Sequence, residues 1–331
     1  MNIADYKNNK IVKIGLGVIV LAVVVVIVIS LGGKKSGGKH MKGKVIGYLP
    51  YYSVDYLDKI DFDALTHLNI AFTNPDSSGN LSNQISDETM RKIVKTCHDN
   101  NVKAVASFGG GAISSTNYNA LMRGNPEGIT RFNETIINYC KEYELDGVDI
   151  DFEFIASSPA WEYFEDWMVA LRKECKKNDL ILSAAVASWY TDNISSTAMD
   201  CFDYIMIMAY DNNADHENHS TYEYAKYELE YHVDKGIDKD KLILGVPFYG
   251  YSYTQSGEMD WGSAASYRYI LSKDSSAKNK DSSNGYAYNG EQTIKAKADL
   301  SKEYGGIMIW ELSQDADGSN SLLKLIKHKY K

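Results

Sequence analysis

Asp149, Asp151 and Glu153 occupy every second position of the apolar segment LDGVDIDFEF, residues 145–154. Side chains of a strand alternate between its two faces, so the three carboxylates share one face and Val148, Ile150 and Phe152 the other. Alternate residues on a strand are ~6.6 Å apart between Cα atoms. Carboxyl groups held that close cannot all ionise cheaply, so at least one pKa rises, and a Glu153 protonated near neutral pH could serve as a general acid. The three make one coupled titration. A solvated edge strand with a polar outer face would show the same alternation, so the elements around the segment must decide between the two.

Those elements repeat. Apolar, β-rich runs occur at 44–50, 66–72, 102–108, 146–154, 180–188, 204–211, 242–250 and 305–312. Amphipathic stretches at 86–101, 128–144 and 160–178 separate some of them, the first opened by a capping signal at Ser86. Alternating βα units of this length imply a parallel sheet covered by helices, and eight of them fit a (β/α)8 barrel. The 251–304 interval, rich in Ser, Lys, Asn and Gly up to about residue 290, reads as a long surface loop followed by a helix over 291–304. A barrel has no edge strand, so the three carboxylates must face its interior. Catalytic groups in such barrels sit at the C-terminal strand ends. Tyr48, Phe72, Met208, Tyr210, Asp211, Tyr249, Trp310 and Glu311 cluster at those ends. Asp146 has the wrong parity for the inner face, and a structural role is expected of it.

Charge and composition narrow the partners. The 331-residue chain has a net charge of −9, but residues 1–44 hold eight Lys against one Asp. The remainder is therefore strongly acidic, a poor partner for nucleic acid. Its 25 Tyr supply aromatic surface for an amphipathic ligand such as a sugar. The seven His and four Cys show no metal-ligand spacing, and neither metal nor cofactor is expected. Cys97, Cys140, Cys175 and Cys201 read as buried free thiols. Residues 14–31 form an uncharged apolar run long enough to cross a ~30 Å hydrocarbon core as a helix. The expected organisation is a short tail (1–13), a transmembrane anchor or signal segment (14–31), a flexible linker (32–44) and a catalytic domain (45–331). That would place a monomeric domain outside the cytoplasm, anchored to the membrane or secreted after cleavage.

The residues resemble glycoside hydrolase family 18, the chitinase and chitinase-like family. DGVDIDFE (146–153) matches its D-x-x-D-x-D-x-E signature. SFGG (107–110), MAYD (208–211), GVPFYG (245–250) and IWEL (309–312) are similar to its other strand motifs, in order. The resemblance implies that Glu153 is the general acid and that Asp151 orients the substrate's acetamido group. It implies that Asp149 shares a proton with Asp151, and that Tyr210 hydrogen-bonds the acetamido oxygen. Trp310 would be the floor under the sugar, with Tyr48, Phe72, Met208, Asp211 and Tyr249 lining the same pocket. The implied reaction is endo-acting hydrolysis of β-1,4-linked N-acetylglucosamine polymers, with retention through an oxazolinium intermediate. The same motifs fit an endo-β-N-acetylglucosaminidase acting on N-glycans or cell-wall glycan, and a non-catalytic chitin-binding lectin is a third reading. Three departures point to an open groove. Gly111 follows S-x-G-G where many family chitinases have an aromatic. Tyr251 stands where many have Arg. The 251–304 interval is short for the extra α+β lobe of processive members.

Overall fold

The computed structural model describes residues 41–82, 84–214 and 217–331. Eight parallel strands form the centre: β1 (Lys44–Pro50), β2 (His67–Ala71), β3 (Lys103–Gly109), β4 (Gly147–Asp151), β5 (Ile181–Val186), β6 (Tyr204–Ile207), β7 (Leu242–Pro247) and β8 (Gly306–Trp310). They pair in chain order, and β8 closes on β1 through the register Val45 with Ile307 and Gly47 with Ile309. Closure removes every edge, so both faces of each strand are covered. Even the polar residues of β4 are buried. The carboxylate strand is thus an interior strand, and the solvated-edge alternative falls away.

The helices wrap the outside for reasons visible in their residues. In α1 (Asp87–Asp99), Met90, Ile93, Val94 and Cys97 recur at helical spacing and are the buried face. Its N-cap Ser86 accepts from the Thr89 N–H at 3.2 Å, as the capping signal predicts. In α2 (Pro126–Tyr143), Asn125 caps the first turn and Pro126 opens the helix, where its missing N–H costs nothing. The face of α3 (Trp161–Lys177) that packs on the barrel carries Phe164, Trp167, Met168 and Leu171. Three further helices, α4 (Tyr222–Asp234), α5 (Glu291–Ser301) and α6 (Leu322–Tyr330), complete the set used below. All four cysteines are buried and free.

Two expectations are corrected. The first is the N-terminal transmembrane or signal helix. Among the described residues no helix is long and apolar enough to cross a membrane. The longest of them, α2, carries Glu127, Arg131, Glu134 and Lys141 along its length, as a helix half in water must. Residues 14–31 lie outside the described residues. The fold of the described residues is a barrel with small antiparallel additions, and attachment to a membrane, as partner or as location, is not carried forward.

The second is the loop over 251–290. Tyr249–Ser252 pairs with both Ala265–Ser266 and Tyr286–Ala287, and the latter pairs with Ser282–Ser283, making a small antiparallel sheet. A short helix, Tyr267–Lys273, lies between. Strands of two residues are too short to show a period, and only their pairing partners make them strands.

Candidate active site

The site begins with what flanks β4. Asp149 is in register with Ser107 on β3 and Ser183 on β5. Both hydroxyls donate to it, Ser107 to Oδ2 at 2.7 Å and Ser183 to Oδ1 at 2.8 Å. The Tyr48 hydroxyl of β1 adds a third bond, to Oδ2 at 2.7 Å. Burial raises the Asp149 pKa, and these hydroxyls work against that rise.

One layer higher the flanking residues change. Asp151 is in register with Gly109 and Ala185, neither of which has a side-chain donor. Its carboxylate is buried, and Oδ1 has no hydrogen-bond partner among the described residues. Burial first, then the Glu153 and Asp149 charges, hold the Asp151 pKa well above the carboxylate range. An unpaired buried carboxylate oxygen is expensive in a folded protein, and where one persists it calls for an explanation such as a ligand or a catalytic role.

Glu153 lies just beyond the end of β4, at the mouth. Burial and then the Asp211 carboxylate push it up to about 7, against a backbone N–H from Gly111 that lowers it. The glycines after β3 make this closeness possible. At Gly109, φ is +115° and a β-carbon would meet the Asp151 carbonyl oxygen at 1.9 Å; at Gly110, φ is +94° and it would meet the Phe72 ring at 2.6 Å. Any other residue at either position would push β3 away from the carboxylates or the ring away from the floor.

Beyond the end of β6, two strands from β4, Tyr210 is buried with its hydroxyl 4.0 Å from Met308 Sδ. Burial and then Asp151 raise its pKa well above that of a free phenol, so it remains a hydrogen-bond donor. Asp211 follows with φ of +60°. It accepts from the Tyr249 hydroxyl at 2.6 Å. The His219 Nδ1 lies 3.2 Å from both its backbone nitrogen and its Oδ1, and each contact is served by a different tautomer. The Trp310 ring stacks on Phe72, centroids 5.7 Å apart, and meets Tyr48 edge-on at 5.3 Å.

Between these groups is a cavity of about 290 Å3. Glu153, Asp151, Tyr210, Trp310, Tyr48, Phe72, Met208 and Asp211 all line it. Asp149 does not; it sits beneath the floor, holding its three hydroxyls. Tyr249 does not either, and touches the site through Asp211. Asp146 is at the far end of the barrel, where it accepts from the Ala104 N–H at 2.9 Å and the Lys103 ammonium at 2.6 Å.

Residues 44–315 match the profile of the family described as Glycosyl hydrolases family 18. The chain belongs to that family. Two solved structures carry the same fold over most of this family 18 chain. One, described as the GH18 chitinase ChiB from the chitin utilization locus of Flavobacterium johnsoniae, is 36% identical with a TM-score of 0.80, covering 88% of this chain and 94% of that one. Another, a chitinase from Bacteroides thetaiotaomicron, is 29% identical with a TM-score of 0.77, covering 87% and 96%. Among curated relatives, a chitinase-like effector of Moniliophthora roreri is 26% identical over 61% of this chain, and a Class V chitinase of Arabidopsis thaliana 27% identical over 69%. The family 18 chain spans only 56% and 65% of the lengths of those two proteins.

Sequence reading passed over several residues of this family 18 site. Ser183 and His219 gave no motif signal, although Ser183 is the register partner of Asp149. Trp261 lies within the stretch read as a surface loop yet lines the cavity. Trp189 follows the fifth strand outside any of the motifs and lines the neighbouring cavity.

Proposed function

We propose that this chain hydrolyses β-linked N-acetylglucosamine polymers, chitin as the main class, by a retaining, substrate-assisted route. The observation that carries the reading is Asp151, which lines the cavity with a buried Oδ1 that has no hydrogen-bond partner among the described residues, beside a Glu153 whose pKa is pushed up to about 7. An acetamido N–H donated to that oxygen would satisfy it. The acetamido oxygen then attacks the anomeric carbon while the Tyr210 hydroxyl positions it. The bond from the anomeric carbon to the leaving oxygen breaks, and the Glu153 proton goes to that oxygen. The resulting cyclic cation lies over Trp310, with negative charge shared by Asp151 and Asp149 below it. Water then adds to the anomeric carbon, gives its proton to the Glu153 carboxylate, and the five-membered ring reopens to the acetamide. Two displacements at one carbon retain the configuration. The two solved structures above, both chitinases, support the polymer class.

A second reading keeps this chemistry and changes the chain: an endo-β-N-acetylglucosaminidase acting on N-glycan cores or cell-wall glycan. Gly111 favours it, because position 111 itself places no ring beside Glu153 to demand a flat, linear chain. Product analysis on chito-oligosaccharides beside a high-mannose glycopeptide separates the two. NMR of the first product before mutarotation should show the β-anomer, and an initial α-anomer would overturn the mechanism for either substrate.

A further inference from the structure

Three cavities meet at Glu153. The one just described holds Trp310. A second, about 360 Å3, runs along Gly111, Ile113 and Ile155. The third is the largest of the three, about 720 Å3, and shares Glu153, Met208, Tyr210, Asp211 and Trp261 with the first. With the reacting sugar over Trp310, the scissile oxygen must lie at Glu153. The leaving part of the chain then enters the second or the third cavity.

Their walls differ in what they offer a sugar. Beyond Glu153, the second is lined by aliphatic groups, small hydroxyls and the buried ring of Phe154. Around the third stand Trp189, Tyr227 and Trp261, each more than half exposed at 57%, 54% and 55%. Asn212 and Asn213 add side-chain amides to the same wall. Exposed rings clustered round one cavity mark a binding surface, since a soluble domain gains nothing by leaving them wet. Sugars present C–H faces that pack on such rings, and amides can bond their hydroxyls.

Trp189 is also held still. Its neighbour Ser188 donates from its backbone N–H to Glu228 Oε2 at 3.1 Å, and from its hydroxyl to Glu228 Oε1. Glu228 is fully buried on α4. On the other side, Tyr190 is buried and stacks on Trp161 at 6.0 Å, with Trp189 edge-on to it at 4.5 Å. A buried carboxylate and a buried ring thus fix the backbone while the indole faces outward. A platform ordered before binding loses little entropy when a ligand covers it.

We propose that the leaving-group side of the substrate is bound in the cavity of Trp189, Tyr227 and Trp261, with Trp189 as its stacking platform. This rests on the function proposed above. The chain therefore turns from Trp310 past Glu153 toward the ends of β5 and β6, away from Gly111.

The test compares Trp189→Ala with the unaltered full chain on two substrates. Hexa-N-acetylchitohexaose has sugars on the leaving side. The oxazoline of di-N-acetylchitobiose is the cyclic intermediate already formed and has none. The substitution should lower kcat/KM on the hexasaccharide about tenfold, the scale of one aromatic contact, and leave oxazoline hydrolysis unchanged. Transfer from the oxazoline to an added chito-oligosaccharide acceptor should fall with it, and Trp189→Phe should recover most of both. Equal loss on the two substrates would mean that Trp189 only supports the fold. No loss on the hexasaccharide would place the leaving group elsewhere. Either result overturns the proposal while leaving the reaction assigned above intact. An unaltered chain that turns over neither substrate would remove that assignment, and this proposal with it.

Discussion

The Tyr48 hydroxyl donates to Asp149 Oδ2 at 2.7 Å across the barrel, joining β1 to β4 between residues 101 positions apart. It is one of three hydroxyl bonds that keep Asp149 ionisable while Asp151, one layer above, has none. That difference sets which of the two aspartates gives up a proton more readily. Tyr48→Phe removes one donor to a charged group, worth about 1.5–3 kcal/mol. Asp149 should then hold its proton to higher pH, leaving less of the negative charge that the proposed cyclic cation needs. The expected result is a kcat on chito-oligosaccharides lower by about one order of magnitude, with the acid limb of the pH profile moved upward. An unmoved pH profile would show that the tie is structural only.

Glu153 is the group whose protonation the proposed reaction spends and restores. Glu153→Gln should cost at least ~10²–10⁴ in kcat while oligosaccharide binding persists, as loss of general acid catalysis predicts. In the unaltered chain the acid form is present up to about pH 7, so the rate should fall as pH rises through that value. Stability follows the same sign. The folded state keeps a proton between the ordinary glutamate value and about 7 that the unfolded chain has lost, so stability declines as pH rises across that window. The Asp151 and Asp149 pKa values are raised as well, and the slope belongs in part to them. Urea unfolding at pH 5 and pH 8 should show a smaller difference for Glu153→Gln than for the unaltered chain.

Lys297 on α5 is buried, and its ammonium donates to the Ser220 carbonyl, the Ser220 hydroxyl and Asn289 Oδ1, each at 2.7 Å. It anchors the turn that presents His219 to Asp211. Burial pushes its pKa down to about 7, with Asp281 and Glu223 pulling the other way. Lys297→Met strands buried acceptors and should cost at least about 2 kcal/mol in urea unfolding. The sign with pH is opposite to that of Glu153. Between about pH 7 and the ordinary lysine range the unfolded chain binds the extra proton, so stability rises with pH there. The methionine variant should lose that rise.

Much of the barrel was legible before any coordinates. Each of its strands coincides with one of the apolar runs read from the sequence, β3 alone running one residue past its run to Gly109, because strand and helix periods are written locally in which positions are apolar. The carboxylate face of β4 was legible for the same reason: alternation along one strand is a property of neighbours in the chain. Trp310, Tyr210 and Glu153 could be named because each ends a recognisable strand in a motif. The rest depends on contacts that no local pattern carries. That Ser183 rather than Ala185 faces Asp149 is a matter of register between β4 and β5. The pairing of Tyr249–Ser252 with two-residue strands, one of them more than thirty positions away, leaves no period in the sequence. Trp189 and Trp261 meet round one cavity only because barrel closure brings the loops after β5 and β7 to one rim. The chain determined by itself which residues could do the chemistry. The closed sheet decided which residues flank each carboxylate and which side chains line one cavity.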